Sequence, residues 1–296
     1  MFFYFYYIIG IRIGDCMILF AAAILPVIVL CYFIYNRDPH KEPKSILAKL
    51  FGLGLLIFIP VLFCELAVGG LFDTENVTDF GLLFINTFLG VALIEEFWKW
   101  LVVRKVGFEH REFNEVYDAI VYAVFVSLGF ACIENVGYVG QYGLVNAFTR
   151  ALSAIPGHMY FGVIMGYFFS RAKVAKFNSN NSMYVRNMIL SLLFPALFHT
   201  MYDGLLFYFI NTDITVVLVI FFLFHLVSFG LCIWVVFMTS KLQYNISNRI
   251  AEGEIIVDKS GRAVIKHQPH GKINFCPICG RKYEGGKFCG GCGNKF

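Results

Sequence analysis

Seven apolar stretches, at about 17–35, 46–72, 80–103, 117–138, 151–169, 187–210 and 214–238, dominate the chain. Each is close to or beyond the roughly 20 residues that a helix needs to cross a bilayer. Lipid cannot satisfy exposed backbone polar groups, so segments of this kind enter it as helices. The expected fold is therefore all-α: a polytopic membrane helix bundle of about seven spans. Hydrophobic residues make up 58% of the chain and charged residues only 15%, against about 25% charged in an ordinary soluble domain. That balance excludes a secreted toxin, a disordered regulator and a typical cytosolic enzyme.

The loops give a direction. Arg37, Lys41 and Lys44 follow the first span, Arg104, Lys105 and Arg111 the third, and Arg171, Lys173, Lys176 and Arg186 the fifth. The loops after the second and sixth spans have no Lys or Arg, and the loop after the fourth has only Arg150. Basic loops stay in the cytoplasm, so this alternation predicts a multi-pass protein of the cell membrane with a cytoplasmic C-terminal tail. Residues 1–16 are too short to span and lack signal-peptide features; they read as an interfacial segment or as an extension upstream of a start at Met17.

Charges inside a membrane are expensive and mark function by default. The third predicted span carries Glu95, Glu96 and Lys99, the fourth Glu134, the fifth His158 and the sixth His199 and Asp203. Residues four apart share a helix face, so His199 and Asp203 point the same way, as do Glu95 and Lys99. Two adjacent carboxylates in a low dielectric cannot both ionise cheaply, which suits general acid–base chemistry. At 1.5 Å per residue, Glu134 lies roughly 6 Å deep, His158 and Asp203 about 10 Å and His199 about 16 Å, a set able to meet in the outer half of the membrane. The glutamate pair comes out at roughly 22 or 14 Å, depending on where its span begins. Pro156-Gly157 and Pro195 suggest a kink beside each histidine. Blander readings apply elsewhere: His225 as a hydrogen-bonded core histidine, Glu65 reaching the interface, Asp118 stabilising a helix N-terminus, and Lys99, between two tryptophans, as a possible interfacial anchor.

The first clear shift in composition comes after Met238. Residues 239–296 carry a local charge of +6 within a net +4, which leaves the membrane part at −2. Residues 239–274 read as linker, with the alternation of a β-hairpin over 254–266. In 275–296, Cys276, Cys279, Cys289 and Cys292 form a C-x2-C-x9-C-x2-C pattern. Four thiolates at this spacing on the cytoplasmic side read as a structural Zn2+ ribbon rather than as disulfides. The basic residues around them read as solvated surface and not as a nucleic-acid site.

Glu-Glu-x-x-Lys at 95–99, Phe-x-x-x-Glu at 130–134 and His-x-x-x-Asp at 199–203, in that order on three spans, resemble the PrsW family of intramembrane proteases, distant relatives of the CAAX-prenyl endopeptidases. The similarity extends to residues 36–54, 112–138 and 150–167 and covers a membrane domain of 17–238. It implies an active site of Glu95, Glu96, Glu134, His158, His199 and Asp203. It further implies an intramembrane endopeptidase acting on a single-span membrane protein in the lipid bilayer, such as an anti-sigma factor. A divalent metal, Zn2+ by choice of ligand, is implied by the motifs and not by the spacing, since the chain has no HExxH. Chains of intramembrane Glu, His and Asp also serve proton-coupled transporters, and a sensor or scaffold recruiting partners through the ribbon is a third reading.

Overall fold

The computed structural model describes the backbone of residues 13–251, 255–257 and 263–265, and the side chains of residues 17–243. Helix α1 (Ile13–Arg37) is followed by α2 (Lys44–Leu56) and α3 (Phe58–Val68), which meet at Ile57 within one apolar segment. Asp79 caps α4 (Phe80–Thr87), its Oδ1 accepting from the Leu82 N–H at 2.7 Å. A π-helical turn over Phe88–Ala92 leads into α5 (Leu93–Val102), and a second one over Val103–Gly107 ends that span. Helices α6 (Asp118–Leu152), α7 (Ala154–Phe177), α8 (Asn181–Thr212) and α9 (Thr215–Ala251) complete the bundle. Beyond them β1 (Ile255–Val257) pairs antiparallel with β2 (Ala263–Ile265), Ile256 opposite Val264. The four tail cysteines lie outside the described residues.

By length and composition, six segments are able to cross a membrane. The 60-residue segment Asp118–Phe177 among them is α6 and α7 together, broken at Ser153. Gly166 lies against Ala119 and Ile120, Gly162 against Val124, and the Ser127 hydroxyl donates to the His158 carbonyl at 2.7 Å. These pairs run in opposite directions along the two helices, so α6 and α7 form an antiparallel hairpin and the bundle crosses seven times.

The core is built around this hairpin. Val121, Val124, Leu128 and Phe130 of α6 are buried with Met159, Val163 and Phe169 of α7. Apolar side chains gain nothing from leaving lipid for one another, so helices in a bilayer associate through close packing at small residues. Gly54 of α2 and Gly129 of α6 supply such a contact: a methyl group on either would run into the backbone of the other helix. Large side chains such as Phe63, Leu66, Phe222, Leu226 and Trp234 stay exposed on α3 and α9, as lipid-facing surfaces require. Pro195 lies inside α8 one turn before His199, as expected, whereas Pro156 differs from expectation. Pro156 sits in the first turn of α7, where its missing N–H costs no bond, so His158 stands near a helix start and not at a kink inside a span.

Candidate active site

Helix α5 presents Glu95, Glu96 and Lys99 to the bundle interior, and all three are buried. The Lys99 ammonium has three donors and finds three partners: Glu95 Oε2 at 3.0 Å, Glu96 Oε1 at 2.8 Å and His158 Nδ1 at 3.2 Å. It also lies 4.4 Å from the ring centre of Phe130, the first residue of Phe-x-x-x-Glu. The interfacial-anchor reading of Lys99 is overturned, because its side chain has no exposed surface. A lysine is stable at this depth only because two carboxylates have been placed around it.

Helix α8 adds His199 and Asp203. His199 Nδ1 stands 3.1 Å from Glu96 Oε1 and 4.0 Å from Glu95 Oε2, while its Nε2 is 3.0 Å from Asp203 Oδ2. A neutral imidazole donates from one nitrogen only. If the Nε2 hydrogen goes to Asp203, the Nδ1 lone pair faces two carboxylate oxygens, an arrangement completed by a cation or by a second proton. The Phe161 ring stacks on His199 at 4.6 Å and fixes its plane.

Helices α6 and α7 bring the remaining pair. His158 Nε2 is 2.8 Å from Glu134 Oε2, and the imidazoles of His158 and His199 are 5.8 Å apart, edge to face. With Lys99 donating to Nδ1, His158 carries its hydrogen on Nε2 and gives it to Glu134. All six site residues expected from the sequence thus fall into one connected cluster.

Two further residues belong to it. Arg150, near the end of α6, places a guanidinium nitrogen 3.2 Å from Glu134 Oε1 and donates through Nε to Asn135 Oδ1 at 2.8 Å. A clue lay in the chain itself, since the connections after the second, fourth and sixth apolar stretches contain no other Lys or Arg. Glu65 of α3 is half-buried and lies within the electrostatic reach of Glu95, Glu134, His199 and Asp203, so the interface alone does not account for it. His225 stays apart, its Nε2 3.1 Å from the Leu152 carbonyl oxygen, as a core histidine.

The donors suit a divalent metal. Glu95, Glu96 and His199 each offer one ligand atom within 4.8 Å of the others, and His plus carboxylate is a common set for catalytic zinc. Glu96 Oε2 is buried without any hydrogen-bond partner, a costly state unless something binds there. With neutral histidines and Glu65 left aside, Glu95, Glu96, Glu134 and Asp203 against Lys99 and Arg150 leave two negative charges unbalanced.

The sequence comparisons agree with this geometry. The profile of the PrsW family intramembrane metalloprotease matches residues 42–229. The chain is 37% identical over 186 residues to Protease PrsW of Oceanobacillus iheyensis, covering 63% of this chain and 81% of that protein. It is 35% identical over 187 residues to Protease PrsW of Bacillus subtilis, again covering 63% and 81% of the two chains. Against Protease PrsW of Halalkalibacterium halodurans the match is 32% over 217 residues, or 73% of this chain and 92% of the relative. No solved structure matches the chain. A buried Glu-Glu-Lys, His-Glu and His-Asp cluster inside a seven-crossing bundle, and a family match over most of that bundle, lead to one conclusion: the chain belongs to the PrsW family of intramembrane metalloproteases and is a multi-pass membrane peptidase.

Proposed function

We propose that this peptidase cuts a single-span membrane protein, such as an anti-sigma factor, with Glu96 as the base that activates water. One observation carries the assignment. Glu96 has one oxygen fixed by Lys99 and His199, while the other is buried and has no partner. Glu95 and His199 would hold the metal, Zn2+ on this reading, with Glu96 beside them free to act as base; when bound, the metal acidifies water and polarises a carbonyl.

In the proposed reaction the water oxygen attacks the scissile carbonyl carbon and its proton passes to Glu96 Oε2. The C–N bond then breaks, and the departing amine takes that proton from Glu96. Asp203 orients His199 by accepting from Nε2, the usual support for a metal-binding imidazole. His158, now bonded to Glu134, supplies an N–H to the oxyanion as charge develops. Arg150 pairs with Glu134 and holds it in place. Lys99 offsets the charge of the glutamate pair and so lets both carboxylates sit in the bilayer.

Co-expression with tagged single-span proteins, wild type beside Glu96→Gln, tests the reading. A cleavage product that requires Glu96 supports it. Equal cleavage in both would overturn it, as would a Glu96-dependent ion flux in vesicles without cleavage. The basic loops favour a cytoplasmic tail as part of the same proposal. An epitope inserted at 75–77 should then be reachable in intact cells, and one at 178–180 only after permeabilisation.

A further inference from the structure

A second group of carboxylates gathers where α1 ends, α2 begins and α6 begins. Asp38 and Glu42 lie in the connection between α1 and α2, Glu115 precedes α6, and Asp118 is its first residue. Sixteen residues of α6 separate Asp118 from Glu134, roughly 24 Å along the axis, so this group is remote from the active site.

One carboxylate oxygen from each of Asp38, Glu115 and Asp118 lies within 4.8 Å of the others. Backbone bonds fix the two aspartates. Asp38 Oδ1 accepts from the His40 N–H at 3.0 Å, and Asp118 Oδ2 accepts from the N–H groups of Asn114 at 3.0 Å and Glu115 at 2.7 Å. The second oxygen of each, Asp38 Oδ2 and Asp118 Oδ1, is buried without a hydrogen-bond partner, and the residues are only 2% and 0% exposed. No N–H or hydroxyl group meets either oxygen, and the Glu42 carboxyl lies close enough to Asp118 to share a hydrogen bond when one of the two is protonated. A buried carboxylate oxygen in that position costs stability unless a ligand meets it.

The neighbouring groups do not neutralise the cluster. Lys41 spends its ammonium on the carbonyls of Tyr35 at 2.8 Å and Asp38 at 2.9 Å. His40 Nδ1 meets Glu115 at 2.9 Å, and the Tyr122 hydroxyl donates to Glu42. Among the described residues no Lys or Arg side chain bonds the Asp38, Glu115 or Asp118 carboxylate, so the three share no fixed cationic partner.

We propose that Asp38, Glu115 and Asp118 form a binding site for a hard divalent cation of the Mg2+ or Ca2+ kind, separate from the catalytic metal. The donors are all oxygen, which selects such ions over zinc or copper. The ion ties together the connection after α1, the loop before α6 and the α6 N-terminus, and so acts as a staple at one end of the bundle.

The test is thermal melting of the full chain in detergent, with Mg2+ and then Ca2+ as probes. At about a hundredfold excess over Kd, one of them should raise the wild-type Tm by roughly 5 °C. The rise should survive in Glu96→Gln, where the catalytic cluster is altered, and vanish in Asp38→Asn and Asp118→Asn. Should those buried variants fail to fold, Glu115→Gln serves: its partly exposed side chain removes a ligand without emptying the core, and the half-saturating concentration should rise about tenfold. A wild type that ignores both ions would overturn the proposal and leave shared protons as the account of the cluster. A rise that persists in all three carboxylate variants, or that is lost only in Glu96→Gln, would overturn it as well.

Discussion

His199 Nδ1 lies 3.1 Å from Glu96 Oε1 across 103 residues of chain, while its Nε2 is held 3.0 Å from Asp203. The imidazole thus has one nitrogen for orientation and one for the site. Replacing Asp203 with Asn keeps the size but offers an N–H as readily as an oxygen, which permits the wrong tautomer. Asp203→Asn should lower metal affinity or turnover by about 10–100-fold with little change in Tm. Elemental analysis of the purified protein and a cleavage time course will separate the two effects.

Lys99 tests how the carboxylate pair survives in lipid. Lys99→Met removes the only ammonium in contact with Glu95 and Glu96 among the described residues and should cost about 3–5 kcal/mol, the usual result of stripping one partner from a buried ion pair. The double variant Lys99→Met, Glu96→Gln should recover part of that loss, because one fewer charge is then unpaired. Equal melting of the single and double variants in detergent would show that Lys99 does not stabilise Glu96.

Much of this architecture was legible in the chain, for reasons that differ by residue. The spans could be read because lipid forces long apolar helices, and the six residues that cluster could be singled out because each is a costly exception to that rule. The i, i+4 spacing placed Asp203 beside His199, but sequence arithmetic did not join Glu95 and Glu96 to Glu134. That estimate treats helices as straight and upright, whereas the helix carrying the pair is interrupted by a π-helical turn at Phe88–Ala92. Contact also depends on Lys99 reaching both groups, which no one-dimensional depth contains. Arg150 was visible only as a lone basic residue among connections that otherwise lack them. Asp118 stands in the first turn of α6, as expected of an acid that stabilises a helix start, while one of its oxygens also bonds the preceding loop and the other has no hydrogen-bond partner.

The contact between α2 and α6 makes a packing prediction. A methyl group on Gly129 would meet the backbone of α2 at Phe51, while one on Gly137, two turns further along α6, would meet nothing within 4 Å. Gly129→Ala should therefore destabilise by about 1–3 kcal/mol, and Gly137→Ala should be neutral or slightly stabilising because alanine favours the helix. Thermal melting of the two variants decides this, and a similar loss in both would point to helix flexibility instead of close packing.

The tail offers a test of metal content that is independent of catalysis. If Cys276, Cys279, Cys289 and Cys292 hold structural zinc through thiolates, Cys279→Ser or Cys292→Ser should each lower the bound zinc by one equivalent. The membrane domain should keep its Tm and its cleavage activity, since structural zinc stabilises the fold that it ligates. His199→Ala should remove a different equivalent and abolish cleavage while leaving the tail loaded. Zinc measured by elemental analysis in the single variants and in the Cys279→Ser, His199→Ala double variant should then be additive. Loss of both equivalents from a single cysteine change would mean that the two sites are coupled, and the tail would have to be treated as part of the protease and not as an appended module.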